Sequence, residues 1–242
     1  MIKPGIHKDS FPVVAETAVN HENAIITRLV ASRRYYLYFK RIADILFSAL
    51  IILCVLSWLL PLIAIWIKLD SKGPVFFVQR RIGRNGKIFR CFKLRTMIAN
   101  PEADERPAED NDERITKAGR FLRKTNMDEL PQLFNVLAGD MSLVGPRPHM
   151  ISDCQRFSSV ISSYKFRNLV KPGITGLAQI KGHHGVAKDY TAITQRYYWD
   201  AVYIRKANWK LDSKILSATM LISARTFFRL IFRKEGRTVH RP

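Results

Sequence analysis

Residues Asp128 to Pro148 read Asp-Glu-Leu-Pro-Gln-Leu-Phe-Asn-Val-Leu-Ala-Gly-Asp-Met-Ser-Leu-Val-Gly-Pro-Arg-Pro, and the rest of the chain is best understood outward from them. Leu130, Leu133, Phe134 and Leu137 recur at helical spacing, Pro131 suits a first turn and Gly139 is a natural stop. The pattern predicts a helix with Asp128 and Glu129 at its N-terminus, where backbone amides and the macrodipole favour anions. Two adjacent carboxylates repel, and both stay ionised only with a cation beside them; Mg²⁺ is the obvious candidate. Arg120, Arg123, Lys124 and, past the Gly-Pro turn, Arg147 lie close in sequence. An oxygen nucleophile, a hard-metal ligand and phosphate clamps together suit phosphoryl transfer. The bland reading of the same pair is an acidic first turn capping a surface helix, a common arrangement.

At 242 residues and 47% hydrophobic, the chain can form one domain of ordinary size plus a membrane element. Its net charge of +20 attracts nucleic acid, anionic headgroups or phosphorylated substrates, and charge alone does not choose among them. Cys54, Cys91 and Cys154 form no Cys-x-x-Cys or metal-ligand spacing and argue for a reducing compartment. His183-His184 lacks the helical spacing of a zinc site and fits a turn or a substrate loop better.

Residues 1–32 read as a mobile tail, with no basic region leading straight into an apolar core as a secretory signal would have. From Ile42 to Ile67 the sequence is almost wholly apolar, Asp44 being the one charge, and long enough to cross a bilayer. Arg33, Arg34, Lys40 and Arg41 precede it while Lys68, Lys72, Arg80, Arg81 and Arg84 follow, so the positive-inside rule places both flanks in the cytoplasm. Pro61 breaks the helix inside the run, and Ser57 can bond a freed carbonyl. Residues 33–73 are therefore expected to form a re-entrant helical hairpin, with a plain transmembrane anchor as the alternative.

A catalytic domain is expected over 74–210. Val75 to Lys93 has the alternation and the Asn-Gly turn of a β-hairpin. Asn100 to Arg114 is acidic, contains two prolines and predicts a loop without the spacing of a calcium site. A helix is expected from Pro148 to about Asn168, then turns around a short strand between Lys171 and Gly182. Over 211–242, apolar residues interleaved with Lys214, Arg225, Arg229, Arg233 and Lys234 suggest a basic amphipathic helix lying in the membrane interface; core packing of its first half is the alternative. The fold class is thus α+β: a small membrane-associated α/β domain with an N-terminal re-entrant helix hairpin and interfacial amphipathic helices.

The run Leu122-Arg123-Lys124-Thr125-Asn126-Met127-Asp128-Glu129-Leu130-Pro131-Gln132-Leu133-Phe134-Asn135-Val136, followed by Gly139 to Pro148, closely resembles the core of the bacterial sugar transferases known as monotopic phosphoglycosyl transferases. The resemblance extends from about Lys40 to Thr219. It implies transfer of a sugar-1-phosphate from a nucleotide diphosphate sugar to undecaprenyl phosphate at the cytoplasmic face of the bacterial inner membrane. Asp128 would attack the phosphorus next to the sugar, the lipid phosphate would resolve the adduct, and Glu129 would hold Mg²⁺. Arg123 and Arg147 are candidates for the phosphoryl oxygens. Gln79, Arg81, Gly83, Phe92, Lys93, Arg95, Thr96 and Met97 resemble the family's active-site wall, which adds Lys93 and Arg95 as phosphate contacts. Pro172-Gly173-Ile174-Thr175-Gly176 through Gln179 resembles a segment associated with the nucleotide-sugar end of the site, and Asp200, Tyr203 and Trp209 resemble a further family stretch.

The chain departs from the family at two places. The family usually carries a Ser-Pro pair at the membrane bend, whereas Trp58 follows Ser57 here and the proline comes at 61. Ile180-Lys181-Gly182-His183 replaces a common Val-Asn-Gly-Arg, which leaves the sugar open; a hexose on uridine diphosphate is expected by analogy. Membrane lipids and a homodimer are further expected partners, since interfacial helices often pair. A membrane-tethered nucleic-acid binder would explain the charge, but no recognition helix, RNA-stacking motif or zinc finger is present. A non-catalytic scaffold of a polysaccharide assembly system would keep the membrane parts without needing Asp128, Glu129 and Arg147 together.

Overall fold

The computed structural model describes residues 24–98, 112–183, 185 and 189–232. The tail up to residue 23, the acidic run as far as Asn111, His184, and Arg233 and Lys234 lie outside the described residues.

A short helix, α1, covers residues 24–32. One 37-residue apolar helix, Arg34–Asp70, then follows, long and apolar enough by length and composition to cross a membrane. It comprises α2 (Arg34–Ile51), a π-helical segment Ile52–Leu56 and α3 (Ser57–Asp70). At the π segment the Ser57 amide bonds the Ile52 carbonyl, one residue further back than in an α-helix, which releases the Leu53 carbonyl. The Ser57 hydroxyl fills that vacancy at 2.7 Å, and the Trp58 indole donates to Cys54 O at 2.9 Å. Pro61 lies within α3, four residues beyond Ser57. The irregularity therefore falls immediately before the Ser57-Trp58 pair.

Straight, such a helix would reach about 55 Å. Both of its ends are nevertheless tied to parts of the chain that follow it. At the start, Arg33 donates to the carbonyls of Ile204 and Arg205, and Arg41 to those of Val136 and Leu137. At the end, Asp70 accepts from the Ala118 amide at 2.9 Å, while Arg95 donates to the carbonyls of Ile67, Ser71 and Lys72. Asp44, the charge inside the apolar run, is buried and accepts from the Leu143 amide, so it faces protein. Leu46, Phe47, Leu50, Leu53, Trp58 and Leu62 point outward instead, each more than half exposed. Leu56, Pro61 and Ala64 line a cavity of about 320 Å³ against Phe76 and Phe134.

The expected hairpin is present: β1 (Phe76–Ile82) pairs antiparallel with β2 (Ile88–Leu94). Asn85 and Gly86 take positive φ in the turn, as an Asn-Gly pair permits. Next come α4 (Lys117–Thr125) and α5 (Gln132–Ala138), which ends at Gly139 with φ 91. Asn135 on α5 is fully buried and stitches the helix to β2, accepting from Phe92 N at 2.9 Å and donating to Arg90 O at 2.7 Å. Strand β3 (Ser142–Val144) runs parallel to β4 (Gly173–Thr175). Gly145 and Gly173 let the two backbones touch: a Cβ on Gly173 would lie 2.0 Å from Gly145 N.

The helix expected to reach Asn168 stops earlier. α6 covers Ile151–Val160, Ile161 is extended, and Tyr164–Leu169 is a 3₁₀ segment. The β-branched pair Val160-Ile161 followed by Ser162-Ser163 favours that break. α7 (Leu177–Ile180), α8 (Tyr190–Lys206) and α9 (Trp209–Phe232) complete the chain. The first half of α9 packs into the core, as the alternative reading held: Ile215 is fully buried and Asp212 takes bonds from Lys40, Tyr36 and Tyr203. Its outer half exposes Met220, Leu221, Ile222, Phe228 and Phe232.

Candidate active site

Thr116 caps α4 by accepting from the Gly119 amide, and the helix ends at Asn126, whose left-handed φ of 57 turns the chain. Met127–Glu129 then forms a 3₁₀ turn, with Glu129 N bonded to Asn126 O and Leu130 N to Met127 O. Asp128 and Glu129 thus occupy this turn rather than the first turn of an α-helix. Pro131, which lacks an amide hydrogen, stands as the N-cap of α5, so regular helix begins only at Gln132.

Two neighbouring elements aim cations at this turn. Lys93 of β2 places its ammonium 2.7 Å from Glu129 Oε1. Arg147, in the loop between β3 and α6, grips the same carboxylate with both arms, Nη2 to Oε1 at 2.5 Å and Nη1 to Oε2 at 3.1 Å. Burial alone would push the Glu129 carboxyl up, but Arg147 and Lys93 outweigh it and hold the group well below the usual carboxylate range. Asp128, equally buried at 8% exposed, makes no hydrogen bond or ion pair among the described residues. Burial pushes its carboxyl up to about 6, Glu129 adding to the effect while Lys93, Arg123 and Arg147 oppose it.

The expected site residues therefore separate into groups. Asp128, Glu129, Lys93 and Arg147 converge, and the partly buried Arg123 acts on Asp128 through its charge. Arg95 is placed elsewhere: it is 5% exposed and closes the C-terminus of α3 through the three carbonyls named above. Gln179 sits on α7, with Nε2 bonded to Ile174 O and a buried Oε1 that has no partner among the described residues. Ser57 and Pro61 belong to the long helix.

Mg²⁺ takes one or two carboxylates and completes its shell with water and substrate phosphates. No group of three or more His, Cys, Asp or Glu side chains gathers among the described residues, so a closed protein cage is not on offer there. The donor set fits the open mode, because both Asp128 oxygens and one lone pair of Glu129 Oε2 stay available beside the cations.

The sequence matches a protein family described as bacterial sugar transferase over residues 35–226. The chain belongs to the bacterial sugar transferase family. It is 46% identical over 183 residues to a UDP-glucose:undecaprenyl-phosphate glucose-1-phosphate transferase of Klebsiella pneumoniae, covering 75% of this chain and 39% of that relative. A Caulobacter vibrioides relative of the same description is 42% identical over 182 residues, covering 75% of this chain and 68% of its own length. A Salmonella typhimurium undecaprenyl-phosphate galactose phosphotransferase is 40% identical over 224 residues, covering 85% and 43%. The chain thus spans less than half the length of the Klebsiella and Salmonella relatives.

Other contributors to this candidate site carry little sequence signal. Arg81 donates to Pro148 O at 3.0 Å, and Arg167 pairs with Asp200 and donates to Arg147 O. Arg167 falls in the segment the sequence reads as continuous helix, and nothing in its spacing marks it; Asp200 stands out only through the family resemblance.

Proposed function

We propose that the protein is a phosphoglycosyl transferase that moves a sugar-1-phosphate from a UDP-sugar to undecaprenyl phosphate, working at the cytoplasmic face of the inner membrane as an initiating step of exopolysaccharide or O-antigen assembly. The observation that carries this reading is the asymmetry of the carboxylate pair: Glu129 is tied by two cations, while Asp128 is buried beside it with no hydrogen bond or ion pair among the described residues. An Asp128 oxygen attacks the phosphorus bearing the sugar, the bond to the uridine-side phosphate oxygen breaks, and UMP leaves with that electron pair. An oxygen of the lipid phosphate then attacks the same phosphorus and frees the Asp128 carboxylate. Two half-reactions spare the site from holding donor and lipid together.

Arg147 and Lys93 keep Glu129 ionised and form the positive wall on which a diphosphate rests, and Arg123 adds a third charge beside Asp128. Mg²⁺, held by Glu129 and the donor's own phosphates, would supply charge neutralisation on the leaving nucleotide. Two observations favour a re-entrant helix Arg34–Asp70 bedded in lipid over a simple span: both helix ends bind one domain, and basic residues flank both sides. The exposed outer half of α9 gives a second lipid contact.

The test is a panel of nucleotide sugars incubated with the protein and undecaprenyl phosphate, read by release of nucleoside monophosphate. One UDP-hexose should be turned over in preference to the others. A scaffold of a polysaccharide assembly system would release no nucleotide from any of them.

A further inference from the structure

The loop carrying Arg147 has no regular secondary structure, yet each carbonyl from 146 to 149 accepts a hydrogen bond. Pro146 O accepts from Gly173 N at 2.9 Å and His149 O from Ile82 N at 3.0 Å. Pro148 O accepts from Arg81 Nη1 at 3.0 Å, and Arg147 O from Arg167 Nη2 at 2.6 Å. Two of the four donors are thus guanidinium groups reaching in from other elements. Arg167 is itself oriented by Asp200, with Nη2 at 2.8 Å and Nε at 3.2 Å from the same carboxylate oxygen, and its guanidinium lies 5.3 Å from the centre of the Tyr164 ring. Both members of the pair are buried.

A buried ion pair contributes little net stability, because desolvation offsets most of the attraction. Fold stability is therefore a poor account of why this pair sits where it does, whereas its geometry does specific work. The guanidinium is a planar fork, and here one nitrogen serves Asp200 and Arg147 O together, which fixes the backbone from which the Arg147 side chain reaches Glu129.

We propose that Arg167, held by Asp200, is a positioning residue for the transfer reaction: it touches neither substrate nor the carboxylates and acts by setting the backbone of Arg147. The inference rests on the proposed role of Arg147 at the phosphoryl group. Lysine at 167 keeps the charge but has no fork to serve both acceptors. A shift of the clamp by a fraction of an ångström weakens the arrangement that binds the transition state more than it weakens donor binding.

The experiment is a double-mutant cycle of Arg167→Lys and Arg147→Lys, measured on the full chain in lipid with the preferred UDP-hexose. Arg167→Lys alone should lower kcat by about 10- to 100-fold while donor KM stays within about twofold, with melting midpoint and vesicle association unchanged. In the Arg147→Lys background the same substitution should cost almost nothing further, because its route of action is already lost. Equal losses in both backgrounds, an unchanged kcat in the single variant, or a loss that tracks the melting midpoint would overturn the proposal. Should Arg167→Lys not fold, Asp200→Asn takes its place, since it keeps the shape and removes the charge that orients Arg167. If Arg147→Lys alone leaves transfer intact, the proposed function of Arg147 fails, a different outcome from additivity in the cycle.

Discussion

Asp128 and Glu129 are chemically alike and adjacent in the chain, yet their surroundings divide the labour between them. Glu129 binds Arg147 and Lys93, so replacing it by Gln leaves two half-buried cations without their anion. Glu129→Gln should lower kcat by about a hundredfold and move the Mg²⁺ titration to higher concentration; an unchanged titration would remove Glu129 as the metal's partner. His149 offers a separate test away from the carboxylates. It is buried, bonded through Nδ1 to the Tyr164 hydroxyl and stacked on the Tyr164 ring, edge-on to Phe157, and faced by Arg167, Arg196, Arg81 and Arg147. Burial, reinforced by those cations, holds its pKa well below the ordinary histidine range. The unfolded chain takes up a proton near pH ~6.5 while the folded one does not, so stability falls as pH drops below that value, by up to about 1.4 kcal/mol per pH unit. His149→Phe should flatten the dependence of melting midpoint on pH by about one proton between pH ~6.5 and ~5; an unaltered slope would show that His149 is not the group responsible.

Among the elements, α5 does most to bring sequence-distant residues together, and Asn135 is its fastening to β2. Asn135→Ala takes from Phe92 N and Arg90 O the side-chain partner that the fully buried Asn135 supplies, at a cost of about 1–3 kcal/mol in a denaturant titration; a loss below the error of that titration would mean solvent reaches those groups. The helix spacing, the Asn-Gly hairpin and the Gly139 stop were legible because each depends on local backbone preferences. The 3₁₀ turn at Met127–Glu129 was not, since Pro131 and the left-handed Asn126 act against a pattern that the apolar residues alone suggest. Arg95, which the family resemblance offers as a phosphate contact, instead turns its guanidinium to the end of α3, a bond that only tertiary packing shows. For the long helix, single cysteines introduced at Arg34 and at Lys72, with the native three replaced, should both react with an impermeant reagent from the cytoplasmic side. Labelling of one from each side would establish a transmembrane span instead.

On the scale of the whole molecule, the exposed apolar helices and the carboxylate site are neighbours. Trp66 of α3, Phe121 of α4 and Phe227 of α9 form a chain of ring contacts at 5.5 and 6.3 Å, and α4 is the helix that ends at the carboxylate turn. The apolar helix, the charge of +20 and the carboxylate-arginine stretch each admitted several readings in the sequence, and their meeting in one place is what the proposed transfer at a lipid surface requires. Of the long-range supports of that place, Arg167 stayed hidden and Arg81 stood out only through the family resemblance, because no local pattern encodes a bond to a carbonyl tens of residues away. The account stands on Asp128 becoming esterified to the sugar phosphate. Its most direct test is to mix the protein with UDP-hexose labelled in the sugar, without lipid, then quench and map the label. The account predicts a stoichiometric adduct on Asp128, absent in Asp128→Asn and discharged by added undecaprenyl phosphate; full turnover by Asp128→Asn, or transfer with no adduct on the native protein under any quench, would contradict it.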